Sequence, residues 1–214
     1  MKLNDPFVIT ISREIGSGGR TVGLKLAEKL GVHYSDKQLI EELEKKLEVS
    51  AYGIENIKGQ KKGWLADFIQ MVAPVPKASA IVGSDSNYIQ EFRPEVSVKD
   101  VYDAEREILN AIADEGSCVI AGRCGFFVFR NHPNHLSVLV QAPMAFRVAR
   151  ITAKRNISED EARKIIEKVD KMRENYVKRF TGTSRYEARN YDLVFNTDGK
   201  TEEQIANQIL MFIE

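Results

Sequence analysis

Apolar residues along the chain fall into short continuous runs separated by stretches with helical spacing. Phe7-Val8-Ile9-Thr10-Ile11-Ser12 is the first run, β-branched and almost wholly apolar. That pattern suits a strand buried on both faces at the centre of a parallel sheet. Leu24, Leu26, Ala27 and Leu30 follow at near-helical spacing, and Gly31 ends the helix as a C′ residue. Val32-His33-Tyr34 reads as a second strand, and Asp36 can cap a helix with Leu39, Ile40, Leu43 and Leu47 on one face. Strand, helix, strand, helix in so short a span is an α/β signature.

Residues 48–98 break this rhythm. Gly53, Gly59, Gly63, Pro74, Pro76, Gly83 and Pro94 punctuate them, with Trp64 to Ile69 as a short helical candidate. The α/β pattern resumes afterwards, so the segment reads as an insert or small cap and not as a linker. Beyond it a helix is expected from Val98 to about Glu115, then strands at Cys118–Ala121, ending at Gly122, and at Leu136–Val140. Pro143 is expected in the first turn of the next helix. Ser158 with Glu161 forms a capping-box pattern ahead of a long amphipathic helix carrying Ala162, Ile165, Ile166, Val169, Met172 and Val177. A last strand, Leu193–Phe195, precedes a C-terminal helix capped by Thr201 and Gln204 and carrying Ile205, Ile209, Phe212 and Ile213.

Composition narrows the class. Of 214 residues, 43% are hydrophobic and 29% charged, which excludes a disordered or fibrous chain. No apolar run nears the ~18 residues of a membrane span, and no secretory signal follows Met1. Cys118 and Cys124 are too few for a disulfide framework, and with His33, His132 and His135 they form no zinc-binding spacing. A cytoplasmic protein without membrane contact is expected. The 31 basic and 31 acidic residues cancel, so a global footprint for nucleic acid is absent. Locally the balance differs: residues 147–189 hold 13 Lys or Arg against 7 Asp or Glu, and residues 90–115 hold 3 against 8. A basic segment beside an α/β core invites a phosphate ligand, although any single lysine there can be a solvated surface residue.

Between the first strand and helix lies Arg13-Glu14-Ile15-Gly16-Ser17-Gly18-Gly19-Arg20-Thr21. Glycines let backbone N–H groups turn inward, and the helix N-terminus adds a positive dipole end, so the segment suits a phosphate cradle. Aligned on the P-loop pattern G-x-x-x-x-G-K-[ST], it has Glu14 at the first glycine and Arg20 at the lysine. Arg20 keeps the cation beside the β/γ-phosphates, and Thr21 keeps the hydroxyl for Mg²⁺. Glu14 repels phosphate unless it meets Mg²⁺ or an arginine such as Arg13. A dinucleotide-binding reading competes, because Gly16 and Gly18 supply G-x-G and Asp36 follows at a ribose-binding distance, but Thr21 replaces the third glycine.

Five blocks in order then resemble the cytidylate kinase-like family, a divergent branch of the P-loop nucleoside monophosphate kinases. They are Ile11 to Arg20, Tyr34-Ser35-Asp36-Lys37, Ala121-Gly122-Arg123, Asp170 to Tyr176, and Tyr191 to Thr197. The resemblance implies a P-loop NTPase-like three-layer αβα fold with a five-stranded parallel sheet. Residues 1–36 and 99–214 would form the core, 37–98 a helical monophosphate-binding insert, and about 150–185 an Arg-rich lid. The implied reaction moves the γ-phosphoryl group of ATP, with Mg²⁺, to CMP or dCMP. The partners would be small-molecule nucleotides, with no nucleic acid.

Carried over by position, Gly16, Ser17, Gly18, Gly19, Arg20 and Thr21 match the ATP phosphate loop, with Thr21 at the metal. Asp36 matches an acidic position near the acceptor. Arg123 matches the arginine of a G-R-D block that holds the acceptor phosphate. Asp170 and Arg173 match a D-x-x-R pair contacting cytidine and phosphates, and Arg147, Arg150 and Arg155 lie where lid arginines reach the transferring group. Two departures stand out: Cys124 replaces the aspartate of G-R-D, and Arg20 replaces the P-loop lysine. They leave room for a nucleotide-binding sensor with little catalysis. The remaining alternatives are a NAD(P)-binding Rossmann enzyme and RNA binding by the basic lid. Asp36 can equally be a helix cap, Arg173 with Asp170 a surface salt bridge, and Tyr176 and Phe180 core residues.

Overall fold

Five short segments, four of them rich in apolar residues and the fifth an edge strand, His33–Ser35, pair in parallel. A computed structural model, which describes residues 1–36 and 98–213, contains β1 (Val8–Arg13), β2 (His33–Ser35), β3 (Cys118–Ala121), β4 (His135–Gln141) and β5 (Leu193–Asn196). Their order is β2-β3-β1-β4-β5. β1 is paired on both sides, with Val8 opposite Cys118 and His135. The expected strands are all present, with ends moved by a residue or two where hydrogen-bonded register, not hydrophobicity, sets the limit. The strand order differs from the 3-2-1-4-5-6 arrangement of dinucleotide-binding sheets, so the Rossmann alternative fails on topology.

Helices cover both faces. On one lie α1 (Gly19–Leu30) and the C-terminal helix α6 (Glu202–Ile213), numbered with α2 (Val98–Asp114), α3 (Gly125–Val128), α4 (Met144–Arg155) and α5 (Glu159–Thr181) between them. Val22 and Leu26 of α1 and Ile205 and Ile209 of α6 pack on Ile9, Ile11, Val138 and Val140. Each fully buried aliphatic contributes about 1.5–3 kcal/mol. On the other face Tyr102 of α2, Phe126 of α3, and Tyr176 and Val177 of α5 pack around Leu139 and Tyr191. The result is a three-layer αβα sandwich.

Local chemistry sets the ends of the helices. Gly31 is left-handed and its N–H caps the carbonyls of Ala27 and Glu28. The capping box of Ser158 and Glu161 is formed, and Thr201 with Gln204 caps α6 as expected. Pro143 is a correction: it sits at the N-cap of α4 in extended backbone, one position before the first turn. Two elements have no sequence forecast, the single-turn α3 and a 3₁₀ turn at Ala188–Asn190, both too short to show a period. The expected insert, the helix after Asp36 and the Trp64–Ile69 helix lie outside the described residues, as does Asp36's capping role. No helix among the described residues is long and apolar enough to cross a membrane.

β4 carries a titratable group into the fold. Burial lowers the His135 imidazole from 6.5 to about 4, with Asp192 pulling weakly the other way, and Nε2 lies 2.8 Å from the Thr10 hydroxyl oxygen. The folded protein keeps the ring neutral. Stability is therefore whole above about pH 6.5 and falls as pH drops toward 4, where the folded form also takes the proton. Urea unfolding at pH 7 and pH 5 should differ by about 2 kcal/mol from this group. In His135→Gln the difference should shrink by that amount; an unchanged slope would assign the acid sensitivity elsewhere.

Candidate phosphoryl-transfer site

Parallel strands deliver their carboxyl ends to one edge, where α/β sheets bind ligands. There β1 runs into Glu14–Gly18 and the N-terminus of α1. Gly16 and Gly18 both take φ +84°, the left-handed region that side chains resist. Ser17 is buried, its hydroxyl 3.0 Å from the carbonyls of Glu14 and Val140, and its own carbonyl accepts from Thr197 Oγ1 at 2.8 Å. The loop is thus pinned from β4 and from the end of β5. The N–H groups of Gly16, Gly18, Arg20 and Thr21 have no acceptor among the described residues. Such a nest of donors at a helix N-terminus can take phosphate oxygens.

Glu14 does not enter the cradle. Its Oε2 accepts from the Ala142 N–H at 3.0 Å and its Oε1 lies 3.6 Å from Arg147 Nη2. The arginine that neutralises it is therefore Arg147 of α4, not the adjacent Arg13. Instead a carboxylate from α5 faces the loop: Asp170 Oδ1 accepts from the Ile15 N–H at 3.4 Å, and Oδ2 accepts from Arg147. Arg185, in the loop after α5, lies 3.9 Å from the same carboxylate.

Beside the loop is a cavity lined by Arg13, Arg123, Arg173 and Arg185 with Ser12, Gly122, Cys124, Phe126 and Tyr176. Arg13 extends from the last residue of β1 over Gly122. Gly122 takes φ +82°, and a Cβ there would come 1.8 Å from Arg13 Nη1 and push the guanidinium aside. Arg173 and Arg185 both donate to the Arg13 carbonyl, at 3.1 and 2.5 Å. Burial, with Arg13 and Arg185 alongside, pulls the Arg173 guanidinium well below its ordinary value. Burial also lowers Arg13, against the opposing pull of Asp36. In both, burial is the chief cause, and an anion entering the cavity would favour the charged forms.

Arg123 and Cys124, at the end of β3, both have left-handed backbone, φ 58° and 54°, a conformation costing a non-glycine residue about 1–2 kcal/mol. The bend returns the Arg123 side chain toward α2, where Nη1 donates to Glu105 Oε1 at 2.8 Å. Burial, with Glu105 adding to it, pushes the Cys124 thiol far above its usual range. Where the G-R-D pattern has a negative charge, this chain therefore holds a neutral, apolar group.

Of the residues singled out from the sequence, Arg123 and Arg173 line the cavity, Asp36 closes its β2 side through Arg13 at 3.4 Å, and Asp170 joins it to the loop. Arg173 and Asp170 turn to separate partners, so they are not a surface pair. Arg20 leaves the helix N-terminus sideways to pair with Asp36. Arg150 pairs with Glu202 at 2.5 Å, next to Gly18. Arg155 is exposed at the end of α4, apart from the cavity. Thr21 is exposed in the first turn of α1. Among the described residues no group of three or more His, Cys, Asp or Glu could hold a metal. A lone hydroxyl fits Mg²⁺, which keeps its waters and shares substrate phosphates, better than it fits a metal caged by protein. Sequence reasoning missed Arg13 as a lining group, Arg185, and Glu105. Only Glu105 left a signal: it lies on the apolar stripe of Val101, Ile108 and Ile112.

The profile of the cytidylate kinase-like family matches residues 8–199. A cytidylate kinase of Sulfolobus acidocaldarius is 32% identical over 105 residues, 49% of this chain and 57% of that protein. A uronate isomerase of Corynebacterium glutamicum is 33% identical over 105 residues, 49% of this chain and 20% of that one. The aligned stretch thus spans little more than half of one relative and a fifth of the other. Among solved structures, an uncharacterized protein from Eubacterium ventriosum superposes with TM-score 0.66 at 19% identity, covering 97% of this chain and 98% of its own. A shikimate kinase from Bacteroides thetaiotaomicron superposes with TM-score 0.53 at 14% identity, covering 97% of each chain. At these identities the likeness is one of fold.

Asp170 can be tested directly. Asp170→Asn removes the charge facing buried Arg147 and leaves Glu14, at 3.6 Å, as its carboxylate partner; leaving a buried cation uncompensated costs up to about 3–5 kcal/mol. Urea unfolding should register most of it, while inorganic phosphate should bind more tightly, because a competing carboxylate at the loop is gone. Unchanged stability would mean that the Arg147 contact is dispensable.

Proposed function

The chain belongs to the cytidylate kinase-like family, and on that premise we propose that it transfers the γ-phosphoryl group of ATP to a nucleoside monophosphate, CMP or dCMP by preference. One observation carries the reading: four arginines from separate elements converge on a cavity next to a glycine loop at the carboxyl edge of the sheet. Phosphoryl transfer needs positioning and charge neutralisation more than covalent chemistry, and such an arrangement suits both. The buried Arg185 Nη1 has no hydrogen-bond acceptor among the described residues, as expected of a site built for an anion.

In this reading the amides of Gly16 to Thr21 and the α1 N-terminus hold the ATP phosphates, and Arg20 exchanges Asp36 for the β/γ-phosphates. Thr21 would hold Mg²⁺, which when bound neutralises charge on the phosphate oxygens. Arg123, Arg173, Arg13 and Arg185 grip the acceptor phosphate through paired donors. Asp36 is then released toward the acceptor. Arg147, just ahead of a lid of about residues 150–185, and Arg150 and Arg155 within it lie where lid arginines reach the transferring group, and residues 37–98 form the monophosphate-binding insert. A second reading, a nucleotide sensor without useful turnover, draws on the Arg20–Asp36 pair and the uncharged Cys124.

An ADP-release assay with Mg-ATP and the common nucleoside monophosphates decides between them. Turnover is expected to be highest with CMP or dCMP. Arg20→Ala should lower kcat about a hundredfold or more. Arg123→Ala should chiefly raise the acceptor KM, by about tenfold. ATP-dependent thermal stabilisation without ADP release from any acceptor would favour the sensor.

A further inference from the structure

Glu105 is the most deeply buried carboxylate among the described residues, 1% exposed, on a helix whose neighbours on that face are Val101, Leu109 and Ile112. It lies behind the arginine cavity and does not line it. One oxygen accepts from Arg123 at 2.8 Å and the other from the Tyr176 phenol at 2.5 Å. Arg123 stands at the end of β3 and Tyr176 on α5, one turn beyond Arg173. A single carboxylate therefore joins the helix that leaves the 37–97 segment, the sheet edge, and the helix that carries two more of the site's polar residues.

Stability alone does not account for it. Burying an ion pair this deeply, with side chains 1% and 4% exposed, costs about as much desolvation as the attraction returns. Arg123 in addition sits on strained backbone, so its guanidinium has no secondary structure to aim it. The stacked Tyr102 and Phe180 rings, 4.3 Å apart, already pack α2 against α5 without any charge. What Glu105 adds is direction: one oxygen holds Nη1 of Arg123, whose side chain lines the cavity, and the other holds the Tyr176 phenol of α5.

We propose that Glu105 is a positioning residue for acceptor binding, which orients the Arg123 guanidinium and registers the Arg173-bearing helix against it. The proposal rests on the anion-binding reading of the cavity. Its test turns on a sign. A carboxylate acting only through its charge repels an incoming anion, so neutralising it would tighten binding. A carboxylate that aims Arg123 has the opposite effect when neutralised.

The experiment uses the full chain and two probes: inorganic phosphate, followed by calorimetry, and CMP with Mg-ATP, followed by ADP release. Glu105→Gln, which keeps shape and hydrogen bonding to Tyr176, is expected to weaken phosphate binding about tenfold. It should raise the CMP KM in proportion, leave the ATP KM within about twofold, and change kcat less than KM. In an Arg123→Ala background the same substitution should cause no further loss, since the residue acts through that arginine. Phosphate binding that is unchanged or tighter in Glu105→Gln overturns the proposal, as does an equal loss with and without Arg123. Wild-type protein that binds phosphate but phosphorylates no nucleotide would remove the kinase reading and leave the phosphate comparison to decide this one. If wild-type protein does not bind phosphate, this proposal falls, and ADP release alone decides the kinase reading.

Discussion

Four guanidinium groups crowded at one edge of a sheet repel each other, and the site is built around relieving that repulsion. Asp36 sits between Arg13 and Arg20, Glu105 holds Arg123, and Asp170 faces Arg147 and Arg185. The three carboxylates come from β2's end, α2 and α5, so no local stretch of chain neutralises its own charge. Every such contact is also a tertiary contact. Because buried pairs return little net stability, their effect is chiefly to hold orientation. Asp36 and Asp170 are each shared between two arginines, so in these pairs the cations outnumber the carboxylates.

The same contacts tie the glycine loop to its surroundings. Ser17 and Thr197 anchor it below, Gly16 backs against Arg147 so closely that a Cβ would meet it at 3.0 Å, and Asp170 reaches it from α5. A loop held on so many sides is already shaped for the anion it takes, and binding costs it little ordering. The α4–α5 hairpin has two distinct ends. Near the cavity it is fixed by Val169, Tyr176 and Val177, whereas the turn from Arg155 to Asp160 is largely exposed. Opening of the hairpin, if driven by ligand, would begin at the exposed turn, where the fewest buried contacts are lost.

Much of the scaffold was legible because it is written in local periodicity. Five strand segments, a capping box at Ser158 and a glycine at position 31 each depend on neighbours a few residues away, and each formed as expected. The loop was legible for the same reason, since its glycines and helix start are contiguous. Position 143 shows the limit of that resolution: proline suits either the N-cap or the first turn, and here it takes the N-cap in extended backbone.

By itself, then, the sequence determined an α/β sandwich, a phosphate-shaped loop and a surplus of arginine in the second half of the chain. It left open which arginines matter, because their meeting depends on strand order. β3 and β4 flank β1 although more than a hundred residues separate them from it, and that adjacency brings Arg13, Arg123 and Arg185 to one cavity. Nor could it show that Glu14 turns to Arg147 while Asp170 approaches the loop. Those outcomes are electrostatic: each buried charge pairs with whichever opposite charge the fold brings within reach, and reach is a property of three-dimensional packing that spacing along a chain does not contain.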